Sequence, residues 1–450
     1  MRPGVTRQYK KLNSGEFRMK LTSGRVFLSS AVSFFAMAVA GSAHAQAFYL
    51  QEQSVRGQGR AFSGEAADTG VDSLWWNPAS IAGMEGGEAA VHASAILPRG
   101  KVSDNGTVIV RPASAPASVG GDPVEKNPID NGVLPSGAIA YGFGKVAVGL
   151  AVSAPYNFTT NYAEDSWARY TADKTKLRTF DIQPTLAVAV TPELYLGAAL
   201  NIEHADATLG NYLPNLSALL PDGHQTLSGK GWDMGWSVGA QYHTGPLSLG
   251  VSYKSSIKHK LKGTVLTEGL LGPLAGQNGE IATRATFSTP WQAIGSVRYK
   301  ATDRLTLNAQ VVRYGWSKFD TIDLGAPINA SIPEDYKNSW SYAAGIDYMV
   351  NPEWTVRAGV QYGGTPTRDG ERDARVPDSN RWNFSAGTSY AVSKAITVDA
   401  AASYISFKDA AIDRTTAAYA GTAAQTPILV NGTLTDASAL VFSLGARVKF

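Results

Sequence analysis

The sequence predicts an all-β fold: a transmembrane antiparallel up-and-down β-barrel of about fourteen strands, its lumen plugged by an N-terminal hatch. Three observations predict it. Residues 440–450 alternate without a slip, with Leu440, Phe442, Leu444, Ala446, Val448 and Phe450 on one face and Val441, Ser443, Gly445, Arg447 and Lys449 on the other. Connections between such segments are short and long by strict turns. No apolar run among the 450 residues is long enough to cross a bilayer as a helix.

Taken in chain order, the first element is a leader. The apolar stretch 26–40 follows Lys20 and Arg25 and leads to Ala43-His44-Ala45, a small-x-small cleavage pattern, so residues 1–45 read as a signal peptide and the mature chain as starting near Gln46. Met19 is an alternative start, since 19–45 alone has the ~15 to 30 residues of a leader. Seven of the 40 basic residues and one of the 37 acidic ones precede the cut, which leaves 33 against 36 and turns a net charge of +3 into −3. That removes the argument for a nucleic-acid partner. The absence of cysteine fits export into an oxidising compartment.

Residues 46–86 are not strand-like. Rich in Gly, Ala and polar residues and ordered by Phe48, Leu50, Phe62, Leu74, Trp75 and Trp76, they read as a plug inside the barrel, since a lumen of this strand number would otherwise hold water. From 87 to 450 the alternation recurs. Val146, Val148, Leu150 and Val152 oppose Ala147, Gly149 and Ser153; Leu249, Val251 and Tyr253 oppose Ser248, Gly250, Ser252 and Lys254; Trp354, Val356, Ala358 and Val360 oppose Thr355, Arg357 and Gly359. Small and charged residues on the second face suit a lumen rather than a packed core. Short turns fall at Gly144, 191–193, 244–246, 301–303, 351–352 and 392–393. Long loops are expected near 97–133, 161–176, 209–229, 264–280, 320–337, 364–379 and 409–436. Aromatics near strand ends, among them Tyr141, Phe143, Trp340, Trp354 and Trp382, read as interfacial girdles.

Ala47-Phe48-Tyr49-Leu50-Gln51-Glu52-Gln53-Ser54, Gly57-Gln58-Gly59-Arg60-Ala61-Phe62-Ser63-Gly64-Glu65 and Asn77-Pro78-Ala79 resemble the amino-terminal hatch of the FadL family (OmpP1/FadL/TodX) of outer-membrane transporters for long-chain fatty acids and other hydrophobic compounds. Ala154-Pro155-Tyr156, Trp167-Ala168-Arg169-Tyr170, the run Tyr253-Lys254-Ser255-Ser256-Ile257-Lys258-His259, Trp316-Ser317-Lys318-Phe319 and Val376-Pro377-Asp378 follow in the family's order. The resemblance implies a monomeric fourteen-stranded barrel in the bacterial outer membrane. Outer loops would catch a hydrophobic ligand, a hatch carrying Phe48, Leu50, Asn77, Pro78 and Ala79 would gate an internal pocket, and release into outer-membrane lipid would occur sideways at a kinked third strand, Ala154, Pro155, Tyr156 and Asn157. The terminal Phe450 is expected to be read by the barrel assembly machinery.

On their own terms, two loops that should be polar carry Tyr212, Leu213, Leu216, Leu219 and Leu220, and Val265, Leu266, Leu270, Leu271 and Leu274, an apolar catching groove. Leu213, Leu216 and Leu220 have helical spacing. Pro155 removes a ladder bond in a wall that has no edge. A buried fatty-acid carboxylate needs a cation, yet residues 201–229 contain no Lys or Arg, and Asp206 and Asn211 stand where the resemblance implies basic residues. Lys254, Lys258, Arg298, Arg313 and Arg357 are lumenal candidates elsewhere. Long-chain fatty acids are the first-choice ligand, with neutral aromatic hydrocarbons of the toluene or xylene type as the alternative and a general porin or outer-membrane hydrolase behind both. Gly235-Trp236-Ser237-Val238-Gly239 has the G-x-S-x-G pattern inside an alternating strand, where the strained strand-to-helix turn it needs is missing. The five histidines after the cut have no metal-ligand spacing, no dinucleotide or phosphate loop is present, and no cofactor and no enzymatic activity are expected.

Overall fold

The computed structural model describes residues 47–450 together with Met1; the expected leader and cleavage site lie outside them. Fourteen strands form the wall: β1 (Gly86–Asp104), β2 (Gly132–Phe143), β3 (Val146–Ser153, resuming as Asn157–Asn161), β4 (Lys174–Ala189), β5 (Leu194–Leu213), β6 (Gly223–Thr244), β7 (Leu247–Lys254, resuming as Lys258–Glu268), β8 (Gly279–Ser288, resuming as Trp291–Lys300), β9 (Leu305–Gly315), β10 (Ser339–Met349), β11 (Trp354–Gly363), β12 (Arg381–Ala391), β13 (Ile396–Phe407) and β14 (Gly432–Lys449). Each pairs antiparallel with its chain neighbour, and β1 pairs with β14 from Glu88↔Lys449 to Asp104↔Gly432. The ring therefore has no edge, as a sheet in hydrocarbon requires, because water is not there to bond a free N–H or C=O. Among the described residues no helix is long and apolar enough to cross a membrane.

The alternation read from the sequence becomes the two faces of this wall. On β3, Val146, Val148 and Leu150 are exposed while Ala147, Ala151 and Ser153 are buried. On β14, Leu440, Phe442 and Leu444 are exposed while Val441 and Ser443 are buried. Three strands break at one level, at 154–156, 255–257 and 289–290, and each break moves the lumenal face by one residue. Thus Lys254 points inward and Lys258, four residues on, points out.

The outer ends depart from expectation. Residues 209–229 are not one long loop: β5 continues to Leu213 and β6 starts at Gly223, paired from Gly223↔Leu213 onward, so only 214–222 connect them. No helix carries Leu213, Leu216 and Leu220. The strands hid behind Gly210, Gly223, Gly229 and polar neighbours, which blur a period-two pattern. Likewise β7 runs to Glu268 and β8 starts at Gly279. Above the wall, Val108–Ile109, Ala117–Ser118, Thr416–Ala418 and Thr426–Leu429 make a separate four-stranded sheet. Val102, Ile109, Trp167, Tyr170 and Ile428 bury one another beneath it.

Residues 47–85 occupy the lumen. Ser54 caps a helical turn, Val55–Gln58, and three 3-10 turns follow. Lumenal side chains from around the ring hold them: Gln58 Nε2 donates to Ser403 Oγ (3.0 Å), Gln241 Nε2 to Ala66 O (2.9 Å) and Gln183 Nε2 to Leu74 O (3.0 Å). Lumenal glycines make room: a Cβ at Gly239 would stand 1.8 Å from Asn77 Oδ1, and one at Gly359 2.2 Å from Arg60 O. Buried Arg60 pairs with Glu65 (2.7 Å), Asp68 (2.6 Å) and Asp347 (3.5 Å). Arg60→Ala leaves the buried Glu65 carboxylate without its ion-pair partner and removes one of the cations shared by Asp68 and Asp347, and should cost about 3–5 kcal/mol. The temperature at which the barrel loses its compact, heat-modifiable mobility on a gel should fall by more than it does for a surface Arg→Ala control.

Candidate functional site

The plug's first residues meet the break in β3. Leu50 N donates to Pro155 O (2.7 Å), Asn157 N donates to Phe48 O (3.1 Å), and Tyr49 bridges Tyr156. The β2–β3 ladder stops at Gly137↔Val152, and contact resumes only at the bridge Ile129↔Thr160. Across that interval β2 pairs with β1 alone. Gln53 fills the interval: its side-chain amide donates to Ala154 O and accepts from Ala154 N (both 3.3 Å), and Ser136 Oγ donates to Gln53 O (3.0 Å). Pro155 is thus tolerated because the plug supplies the partners that the ladder lost. Ala154, Pro155 and Tyr156 are all buried.

Phe48 is also the floor of a cavity. Its ring packs edge-on against Trp316 (4.9 Å) and Phe319 (5.1 Å), with Tyr49 against Tyr314 (5.3 Å) below. Above it, Phe158, Leu177, Leu209, Leu261, Phe287 and Ile322 line a predominantly apolar cavity. Glu334, Asp373 and Arg375 form its polar end. A second, wider cavity further out shares Leu209, Leu227, Asp373 and Arg375 with the first, so the two adjoin at these residues.

Arg375, on the 364–380 connection, escaped the sequence reading although it precedes the quoted Val376-Pro377-Asp378. Its guanidinium donates to Gly210 O (3.0 Å) and Asn211 Oδ1 (3.3 Å) and forms no ion pair among the described residues. A loop thus brings a cation to the stretch of β5 that has none. Burial pushes the Glu334 carboxyl up to about 7 against the pull of Arg414, 3.8 Å away, with Asp373 adding to the rise.

The other cations are differently placed. Arg298 and Arg357 face inward but are tied to Asp347 (3.1 and 2.6 Å), and Lys254 Nζ lies 3.8 Å over the Trp75 ring. Lys258 is exposed on the outer face, and Arg313 stacks on the exposed Trp340 (4.7 Å), so neither is lumenal. Of the expected loop residues, Leu213 and Val265 line the outer cavity. Leu213, Leu270 and Leu274 bury together with Leu216 and Tyr419 against them, and Tyr212 packs on His224. Leu219 (95 % exposed), Leu220 and Leu271 stay on the surface, and Leu266 faces away from the cavity beside Val265. Asn77, Pro78 and Ala79 sit against β5 and β6 rather than at the floor, with Asn77 Nδ2 donating to Ala66 O (2.6 Å) and Ala240 O (3.2 Å).

Comparison with known proteins finds that residues 36–450 match the family described as outer membrane protein transport protein (OMPP1/FadL/TodX). The chain is 24 % identical over 402 residues to outer membrane protein P1 of Haemophilus influenzae, covering 79 % of this chain and 84 % of that one. It is also 24 % identical over 402 residues to the long-chain fatty acid transport protein of Escherichia coli, covering 79 % and 86 %. Among solved structures, a Pseudomonas aeruginosa FadL homologue superposes with a TM-score of 0.79 at 24 % identity over 90 % of this chain and all of the other. The Ralstonia pickettii toluene transporter TbuX gives 0.63 at 17 % over 88 % and 98 %.

The site predicts a pH dependence. Glu334 is neutral below about pH 7 and ionised above it. Ionised, it repels any anionic group placed at the same polar end, so affinity of the cavity for a carboxylate-bearing amphiphile should fall as pH rises from 6 to 8, by on the order of tenfold. Glu334→Gln should flatten the profile. Toluene, which carries no charge, should bind equally at both pH values.

Proposed function

The chain belongs to the outer membrane protein transport family (OMPP1/FadL/TodX), and from that premise we propose that it imports long-chain fatty acids passively. The family carries hydrophobic compounds through transport channels of the bacterial outer membrane rather than catalysing reactions. The observation that carries the finer reading is Arg375, a guanidinium at the polar end of an apolar cavity that forms no ion pair among the described residues, with Glu334 the carboxyl on which its charge acts. The acyl chain lies along Phe158, Leu177, Leu261 and Phe287 while Arg375 takes the head group. Uptake begins in the outer cavity at Leu213 and Val265 and passes inward by Arg375.

Release follows from the shared use of one segment. Residues 48–53 both floor the cavity and patch the β2–β3 interval, so displacing them opens a way sideways into lipid. Residues further along the plug stay tied by Arg60 and Asn77. The barrel works as a monomer, and the exposed ring of Phe450 is offered to the barrel assembly machinery. A neutral aromatic ligand is the second reading, supported by the ring-rich floor at Phe48, Phe158, Phe287 and Phe319 and by the absence of Lys and Arg from 201–229.

Two measurements test this. Radiolabelled oleate should bind the purified barrel at pH 7 and resist competition by toluene, and Arg375→Gln should weaken it at least tenfold, as expected for loss of a charge-assisted bond of about 1.5–3 kcal/mol. Binding unchanged by Arg375→Gln, or oleate displaced by toluene, favours the aromatic reading. In this cysteine-free chain, Tyr49→Cys with Tyr156→Cys places the sole thiols on bridged partners. Uptake should drop at least tenfold on oxidation and return on reduction; uptake indifferent to oxidation would mean that the segment does not move.

A further inference from the structure

On the outer face of β4 to β8, one row of side chains lies in register across five strands: Arg178↔Asp206, Asp206↔Lys230, Lys230↔Lys262 and Lys262↔Arg284. Lys260 and Lys258 extend it toward the membrane along β7, on the face exposed by the parity change at 255–257. Lys230, Lys262 and Arg284 are directly opposed like charges, an arrangement that destabilises a sheet by itself. All of Lys230, Lys258, Lys260, Lys262 and Arg284 are exposed, and among the described residues none of their side chains forms an ion pair, although Asp233, which also faces His259 (3.6 Å), accepts the backbone N–H of Lys260 (2.9 Å). The acids nearby are engaged: Asp206 binds Lys176 (2.9 Å) and Asp323, across from Thr286, accepts from Ser331 (2.7 Å).

The row has a defined height. These strands join through the long connections at their upper ends, so the row sits in the outer half of the wall. Below it on β6, Trp232 (56 % exposed), Met234 (70 %) and Trp236 face lipid, and Trp232 meets His204 of β5 (5.0 Å). An aromatic pair marks the interface, and cations one step above it stand at head-group level.

We propose that this row binds the phosphates of the phosphorylated glycolipid of the outer leaflet, one glycolipid seated with its phosphates on Lys230, Lys262 and Arg284 and its acyl chains on Trp232 and Met234. The charge complementarity is direct: three adjacent cations that repel one another are satisfied by a ligand with two phosphates spaced along a disaccharide. Apolar contact below and charge above distinguish a lipid from free phosphate. None of the three cations lines either cavity, so the site is separate from the transport path.

The test is lipid A retained by barrel purified from outer membranes in mild detergent, quantified by mass spectrometry. Wild type should retain about one equivalent, and Lys230→Gln/Lys262→Gln/Arg284→Gln at least fivefold less with oleate binding unchanged. Equal retention overturns the proposal. Should the triple variant fail to reach the compact folded form, Trp fluorescence of wild type titrated with bisphosphorylated and dephosphorylated lipid A decides: tighter binding of the phosphorylated form, weakened by Lys262→Gln, supports the site, whereas equal binding of both forms overturns it. Competition by millimolar inorganic phosphate alone would assign the row to free anions and overturn the lipid assignment.

Discussion

A backbone amide facing hydrocarbon has no water to bond, and the architecture answers to that constraint. It closes the ring between β1 and β14, and it decides what can happen at Pro155. A break in a lipid-facing ladder would leave orphaned groups on both sides, so it persists only where other polar groups reach it. Here they come from the plug: the main chain of Phe48 and Leu50 and the side-chain amide of Gln53. The wall is continuous as a hydrogen-bonded surface although it is discontinuous as a strand, and its missing section belongs to a part of the chain that is not wall.

The plug is consequently held in two ways. Around Arg60, buried carboxylates from the plug and from β10 share guanidinium partners, and lumenal glycines bring the backbones into contact. Breaking such a cluster exposes unpaired charge to a poorly solvating interior. The stretch 48–53 is attached by neutral hydrogen bonds of individually small net worth and by ring packing. Motion is cheapest where neutral contacts predominate, which puts the compliant stretch beside the cavity and the rigid one toward the short-turn end.

Much of this was legible in the chain. Short turns and lipid faces follow from period-two patterning, which survives wherever apolar residues meet lipid on one side only. The FadL-like residues Phe48 to Ser54 and Ala154 to Tyr156, read separately, turn out to be one contact. What failed did so for physical reasons. The breaks at 255–257 and 289–290 each shift the facing parity, so residues on either side cannot be assigned to one face by counting, and Lys258 has a lumenal pattern but an outward position. Arg313 was misplaced for a simpler reason, since Asn308 and Gln310 fix the even positions of β9 as lumenal. The tall hairpin of β5 and β6 has the sequence character of a loop because glycines and polar residues carry its outer half. Arg375 belongs to the site through a fold of the 364–380 connection back to β5, a long-range contact with no local signature.

Asp72 of the plug reaches Arg447 of β14 (3.2 Å) and His92 of β1 (3.0 Å), so one carboxylate lies across the seam where the first and last strands meet. Joining residues separated by nearly the whole chain is the slowest kind of contact to make, since the entropy of closing so large a loop is lost before the ladder returns anything. Asp72 presents both strands with the same anchor in the closed ring. It is in this sense a mandrel around which the cylinder is wound. The seam is therefore a junction of three partners rather than two, since the segment that the cylinder encloses contributes to the contact that closes it.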